Sequence, residues 1–353
     1  MSNPDPHPTE TVCENDSSQP ELLAPREVPL GGPRAMTVRR TLPQRALSLI
    51  GAWCFLDHYG PDEVTPTSGM KVPRHPHTGL ATVSWLFDGA IDHLDSTGGE
   101  ARIEPGDLAL MTAGRGITHQ EFSTEDTRLL RGVQLWYALP DAERHGEPDL
   151  QTYRAPEVGL DGGTARVFIG SLAGSTSPVR TRTAGLVAAE IVLDAGSEVV
   201  LELDPAFEYG VLADSGTPVV CDESMPVDHL RYHAPGHTHL VLGGGPDGAR
   251  VVLVGGVPLG EQIVMWWNFV GRSHDEVAAY RARYQREIGA AGAGADGTGS
   301  DVVGDGTAPG TDPASTPVDG VDDEVELFGP WPDGTPDPIP APVLPNLRLR
   351  PRG

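Results

Sequence analysis

The chain has 353 residues, with 50 acidic against 25 basic side chains and a formal net charge of −25. That balance argues against nucleic acid or an anionic membrane surface as a partner, because both demand Lys and Arg density, and no stretch is apolar enough to span a bilayer. Cys13, Cys54 and Cys221 are widely spaced with no CxxC pair, and the N-terminus lacks a basic start and an apolar run, so the expectation is a cytoplasmic protein without disulfides or signal peptide.

Residues 1–25 are rich in Pro, Ser, Glu and Asp and read as a disordered tail. Residues 26–140 show short apolar runs broken by turn signals, the pattern of an all-β sandwich or barrel. Residues 80–87 read as a strand, Asp88-Gly89 as a hairpin turn and residues 90–94 as the return strand. Pro105-Gly106-Asp107 leads into an apolar strand at 108–111. Ala113-Gly114-Arg115-Gly116 is then a tight loop that delivers a strand carrying His119 and Glu121.

Residues 141–156 are polar and read as an interdomain connection. A second β-rich region follows, with runs at 165–169, 185–193, 198–203, 240–242 and 251–254. Its size and texture match the first, which suggests a duplicated barrel. One helix closes it, within residues 157–288. Ser273 followed by Glu276 makes a capping box, and Val277, Tyr280, Tyr284 and Ile288 recur at helical spacing, so this apolar stripe should dock on the barrels. Residues 289–323 are a flexible Gly/Ala/Asp linker. Residues 324–353 are a Pro-rich extension with Phe328 and Trp331, either a strap laid back over the fold or further tail.

Two islands carry chemistry, His75-Pro76-His77 and His119-Gln120-Glu121. Alternate residues of a strand point to one face, so each island projects two metal-binding side chains together. If the two strands face one another across a small barrel, three imidazoles and a carboxylate converge. Such a set suits a divalent transition metal such as iron and leaves coordination positions open. A lone His-X-His is more often a turn feature than a ligand pair. The order Pro-Gly-Asp, apolar strand, glycine-rich loop, His-X-Glu is what raises it, because that is the order of a cupin-type barrel. His237-Thr238-His239, with His233 nearby, lacks a companion His-X-Glu. His58 and His93 read as structural or solvated, and Cys54 as a small buried hydrophobe. No Ser-His-Asp elbow, phosphate loop or dinucleotide fingerprint occurs.

The strings HPHTGLATVSWLFDG, PGDLALMTAGRGITHQE and GVQLWYALP resemble the pirin family of the cupin superfamily. Arg40-Thr41-Leu42-Pro43 and the segment from Phe55 to Pro61 upstream, and Gly255-Gly256-Val257-Pro258-Leu259 downstream, extend the resemblance over roughly residues 26–288. It implies two cupin-type β-barrels (a bicupin) with a C-terminal helix and disordered tails. It also implies one metal, typically iron as Fe(II), in the N-terminal barrel at His75, His77, His119 and Glu121, and a second barrel without metal. Some members of the family are similar to quercetin 2,3-dioxygenases, and others are regulators that bind a protein partner according to iron oxidation state. The expected function is therefore oxygenation of a flavonol-like aromatic with O2, with Glu121 as general base; the alternative is the regulator. Trp53, Phe55, Trp85 and Phe87 are candidate pocket walls, of which strand parity admits only some. One departure stands out: the Glu common four residues after the second histidine is Ala81 here, which puts activity in question through altered hydrogen bonding near the metal.

Overall fold

The computed structural model describes residues 22–30, 36–65, 68–290, 326–332 and 334–353. Most of the expected tail (1–21) and linker (291–323) lies outside the described residues. Within them the protein is two β-barrels followed by one helix, His274–Glu287.

Each barrel is a seven-stranded sheet faced by a four-stranded one. In the first barrel the large sheet runs Asp149–Arg154, Asp107–Thr112, Leu80–Asp88, Leu129–Ala138, Trp53–Glu63, Met36–Leu42, Arg26–Leu30. Its small sheet runs Lys71–His77, Ile117–Ser123, Ile91–Asp95, Glu100–Ile103. The second barrel repeats the plan. The two large sheets lie against each other, so Trp53, Val83, Trp85, Leu135 and Tyr137 share one core with Phe168, Ala188, Leu212 and Val254. Each large apolar side chain buried there contributes about 1.5–3 kcal/mol.

This burial explains why Leu80–Asp88 carries so little polarity before its last residue, Thr82 and Ser84 alone: it is covered on both faces, by the seam and by the barrel interior. It also explains why Asp88-Gly89 is a corner rather than a hairpin. Leu80–Asp88 is already paired on both edges, to Leu129–Ala138 and Asp107–Thr112, so the following strand must cross to the small sheet. Gly89 makes that corner at φ +84°, where a Cβ would lie 2.4 Å from the Leu129 carbonyl oxygen.

Other boundaries differ from the sequence expectation. Leu22–Leu23 pairs with Leu230–Arg231, so the N-terminal segment adds an edge strand to the second barrel. The polar connection contains Asp149–Arg154, an edge strand on the first barrel whose exposed face accounts for its polarity. The two ligand-bearing strands are hydrogen-bonded neighbours in one sheet, not opposite walls.

The helix begins as expected, with Ser273 Oγ accepting from the Glu276 N–H at 3.1 Å. The reciprocal half of the box is displaced by one residue, because the Glu276 carboxylate accepts from the Arg272 N–H at 2.6 Å. Val277, Tyr280 and Tyr284 pack with Leu327 and Phe328. The Pro-rich ending is thus a strap. It crosses the outer side of the ligand-bearing sheet, where Thr118 Oγ1 donates to the Phe328 carbonyl (2.8 Å) and Ile339 N–H to the Arg74 carbonyl (2.8 Å).

Candidate metal centre

The pattern of Lys71–His77 turns its last residues inward, and His75 is the register partner of His119 on the adjacent antiparallel strand. Between that pair and the next (Glu121 opposite Val72), the Lys71–His77 strand holds one residue more than its neighbour. The bulge falls at Pro73-Arg74, where proline has no N–H to give the ladder, and it bends the strand beside the histidines. The freed Pro73 carbonyl accepts a hydrogen bond from His75 Nδ1 at 2.9 Å.

Three imidazoles meet here. Ring centroids lie 4.3 Å apart for His75 and His119, and 5.0 Å for each of the other two pairs. All three are buried. Burial pushes the His75 pKa down to about 3, and burial followed by the neighbouring imidazoles holds His77 and His119 well below the ordinary histidine range. The rings are therefore neutral at pH 7, the form that ligates metal.

His75 Nε2 is buried and unpaired, and the Nε2 atoms of His77 and His119 face each other at 3.1 Å. Two imidazole nitrogens pointing at one spot, with a third unpaired nitrogen beside them, are a donor set that a transition-metal ion satisfies. The His/Glu cluster fits such a site.

Glu121 is arranged differently from the sequence expectation of one four-membered set. Its Oε1 accepts from Ser84 Oγ at 2.8 Å, and Oε2 is buried without a partner. The residues form two overlapping triads, His75/His77/His119 and His93/His119/Glu121, each with its ligand atoms within 4.8 Å of one another.

His93 thus lies against the cluster. It is the register partner of Glu121, its Nδ1 lies 3.3 Å from His119 Nδ1, and its Nε2 lies 3.3 Å from Asp95 Oδ2. The signal was in the sequence: His93-Leu94-Asp95 has the same alternate spacing as the two islands. Nothing local marks two further residues. Ser84 Oγ joins Glu121 to the Gln134 amide (2.9 Å). Tyr59 is fully buried with an unpaired hydroxyl; burial, and after it the charge of Glu121, raises its pKa well above the ordinary phenol value. Gly132 makes room for Tyr59, since a Cβ there would sit 2.9 Å from the hydroxyl.

Strand parity sorts the expected pocket walls. Trp53, Trp85 and Phe87 point into the interdomain core, where Trp85 stacks on Phe168 (centroids 4.4 Å) and donates to Glu190 (3.0 Å). Phe55 instead stacks on Trp136 at 3.9 Å, and Trp136 meets His77 edge-on at 4.9 Å. Ala81 belongs with Val83 and Trp85 in the seam. The absent carboxylate would therefore lie on the far face of the strand from Ser84 and the cluster, which removes the expected effect of Ala81 on hydrogen bonding near the metal.

Elsewhere, His58 is buried at the seam, with Asp214 and Asp228 of the second barrel each 2.8 Å away. His237 and His239 are exposed, and burial lowers His233 to about 4. Burial pushes the Cys54 thiol up to about 12, as suits a small core residue. Among the described residues no helix is long and apolar enough to cross a membrane.

Known proteins are similar to this chain in sequence and in fold. Two family models fit the chain, Pirin over residues 35–137 and the Pirin C-terminal cupin domain over residues 188–288. A Pseudomonas aeruginosa protein provisionally named a quercetin 2,3-dioxygenase is 41% identical over 280 residues, spanning 76% of this chain and 88% of the relative. Pirin-like protein 2 of Arabidopsis thaliana is 32% identical over 258 residues, 68% of this chain and 76% of the relative. A crystal structure of quercetin 2,3-dioxygenase from Acinetobacter baumannii superposes with a TM-score of 0.77 at 31% identity, covering 93% of this chain and 97% of that one.

Proposed function

The chain belongs to the pirin family, and on that footing we propose that it is a metal-dependent dioxygenase of the quercetin 2,3-dioxygenase type. In this reading His75, His77, His119 and Glu121 hold Fe(II), and the substrates are a flavonol-like aromatic and O2. The observation that carries it is the buried group of imidazole nitrogens facing one another, with a free carboxylate oxygen close by. When bound, a divalent metal supplies Lewis acidity that lowers the pKa of a substrate hydroxyl.

The chain's own residues do the rest. Glu121, where it is only weakly coordinated, accepts the hydroxyl proton at Oε2, while Ser84 fixes the other carboxylate oxygen. Tyr59 offers a hydrogen-bond donor on the same side, and Trp136 walls off His77 from water. The test is anaerobic purification with metal quantification, followed by simultaneous measurement of quercetin loss and oxygen uptake. Turnover no greater than that of Glu121→Ala, with iron, nickel, manganese, cobalt and copper each supplied, would sink this reading.

A second reading has its own observation. The four residues are no more than 1% exposed, so a ring system the size of a flavonol reaches them only if the barrel opens. Such enclosure suits a non-enzymatic regulator that binds a protein partner according to iron state. Capture of a partner in one iron oxidation state but not the other, in a protein without turnover, would decide for it.

A further inference from the structure

The Ile117–Ser123 strand lies between two others, and His119 is therefore flanked on both sides. On one side are His75 and His77. On the other is Ile91–Asp95, where Asp95 is the register partner of His119. Asp95 is held from behind. Its Oδ1 accepts from the Thr97 N–H (2.8 Å), the Thr97 hydroxyl (2.6 Å) and the Gly99 N–H (3.0 Å). A carboxylate oxygen that collects three donors is the acceptor-only, ionised form. Gly99 is needed for the fit, because a Cβ there would come within 2.4 Å of Asp95 Oδ2. The loop thus fixes a buried carboxylate with Oδ2 turned to His93 Nε2 at 3.3 Å.

The direction of the hydrogen bonds follows from donor and acceptor inventory. An ionised carboxylate only accepts, so His93 Nε2 carries the N–H. With that N–H committed, His93 Nδ1 accepts, and the group 3.3 Å from it, His119 Nδ1, donates. That leaves His119 Nε2 with its lone pair directed at the His77 and His75 side of the cluster.

We propose that Asp95 and His93 are positioning residues for His119: a carboxylate–imidazole–imidazole chain that fixes the tautomer and ring plane of this metal ligand. The proposal rests on the reading above that His119 ligates through Nε2. It assigns His93 to hydrogen bonding, and so excludes the His93/His119/Glu121 triad as a second metal site. A conventional ligand histidine is held by one carbonyl or carboxylate; here the holding group is itself a histidine, whose orientation is set from a loop one strand away.

The test is Co(II) titration of the chelator-treated full chain, read by ligand-field absorption. Wild type should take up one Co(II) per chain. His93→Phe should still take up one, bound about 10- to 100-fold more weakly and with shifted bands. His93→Gln restores an acceptor opposite His119 Nδ1 and should recover much of the loss. Two Co(II) per wild-type chain with one in His93→Phe would overturn the proposal, as would a His93→Phe affinity and spectrum matching wild type. If His119→Ala binds Co(II) as tightly as wild type, the ligand assignment itself fails, a result distinct from failure of the chain. Should His93→Phe not fold, 15N-histidine long-range NMR on metal-free wild type reads the same point. His119 as the Nδ1–H tautomer and His93 as Nε2–H support the proposal, and the opposite tautomer at either ring overturns it.

Discussion

The two barrels share one frame and differ in what fills it. Both have a seven-stranded sheet facing a four-stranded one, and their large sheets meet in a common core. In the second barrel the small sheet turns Val199, Leu201, Leu240 and Leu242 inward, against Val211 and Leu253. In the first, the small sheet instead presents His75, His77, His93, His119 and Glu121, all buried. An apolar filling is what stability alone selects, since buried polar groups cost free energy unless partnered. The second barrel shows that the frame stands without a polar interior, so the polar interior of the first is there for what it binds.

Separating frame from filling gives the largest expected effect. Trp85→Ala empties the seam and should destabilise folding by about 3–5 kcal/mol in urea titration, while metal bound per folded chain stays unchanged. Loss of metal in that variant would mean the seam and the site are one unit. Ala81→Glu tests the same division with a charge: a carboxylate forced into the seam should cost about 3 kcal/mol or more, again without altering metal affinity.

The filling itself is tested by His119→Ala, which should weaken metal binding on the order of 100-fold or more, measured by competition with a chromophoric chelator. The second barrel supplies the control. His239→Ala removes an exposed histidine and should leave affinity as it was; a drop there would break the contrast between the barrels.

Acid should act mainly through the first barrel, where three buried histidines are lowered against His233 alone in the second. His75, at about 3 when folded, lies below its ordinary 6.5, and His77 and His119 are lowered in the same direction. Between those values the unfolded chain binds more protons than the folded one. Stability is therefore fully present above about pH 6.5 and is lost as the pH falls toward 3, by up to about 1.4 kcal/mol per pH unit for each such histidine. Thermal melts of chelator-treated protein at pH 7 and pH 5 should show this loss, and added zinc should raise the melting temperature more at pH 7 than at pH 5, because protons compete for the same nitrogens. Equal stability at the two pH values would contradict neutral, buried imidazoles.

Much of this was legible in the sequence because it rests on local periodicity. Alternate spacing placed His75 with His77 and His119 with Glu121, and turn residues bounded most strands within a residue or two. What was not legible depends on tertiary placement. Leu80–Asp88 is buried on both faces, so its letters could not say that the Val83 and Trp85 face looks to the seam and the Ser84 face to the site. The family resemblance sets Ala81 beside the metal, because a glutamate is common at that position, yet the pleat turns it to the seam. Asp149–Arg154 looked like a connection because an edge strand keeps one face in water. Tyr59 had no signal at all: its role depends on Gly132, seventy-odd residues along the chain.

Tyr59 also gives the smallest and most diagnostic change. Tyr59→Phe removes one hydroxyl and no carbon, so packing in the barrel is kept. A buried hydroxyl without a partner costs about 1–3 kcal/mol, and its removal should raise stability of the resting protein by about 1 kcal/mol. A residue kept only for packing has no reason to carry that cost, and phenylalanine would serve. If the hydroxyl donates to the substrate anion beside Glu121, the same substitution should lower kcat about tenfold, the worth of one hydrogen bond to a charged group. A more stable and less active variant is thus the expected pair of outcomes. A variant that gains stability and keeps full turnover would leave the hydroxyl without a catalytic role and return Tyr59 to the frame that both barrels share.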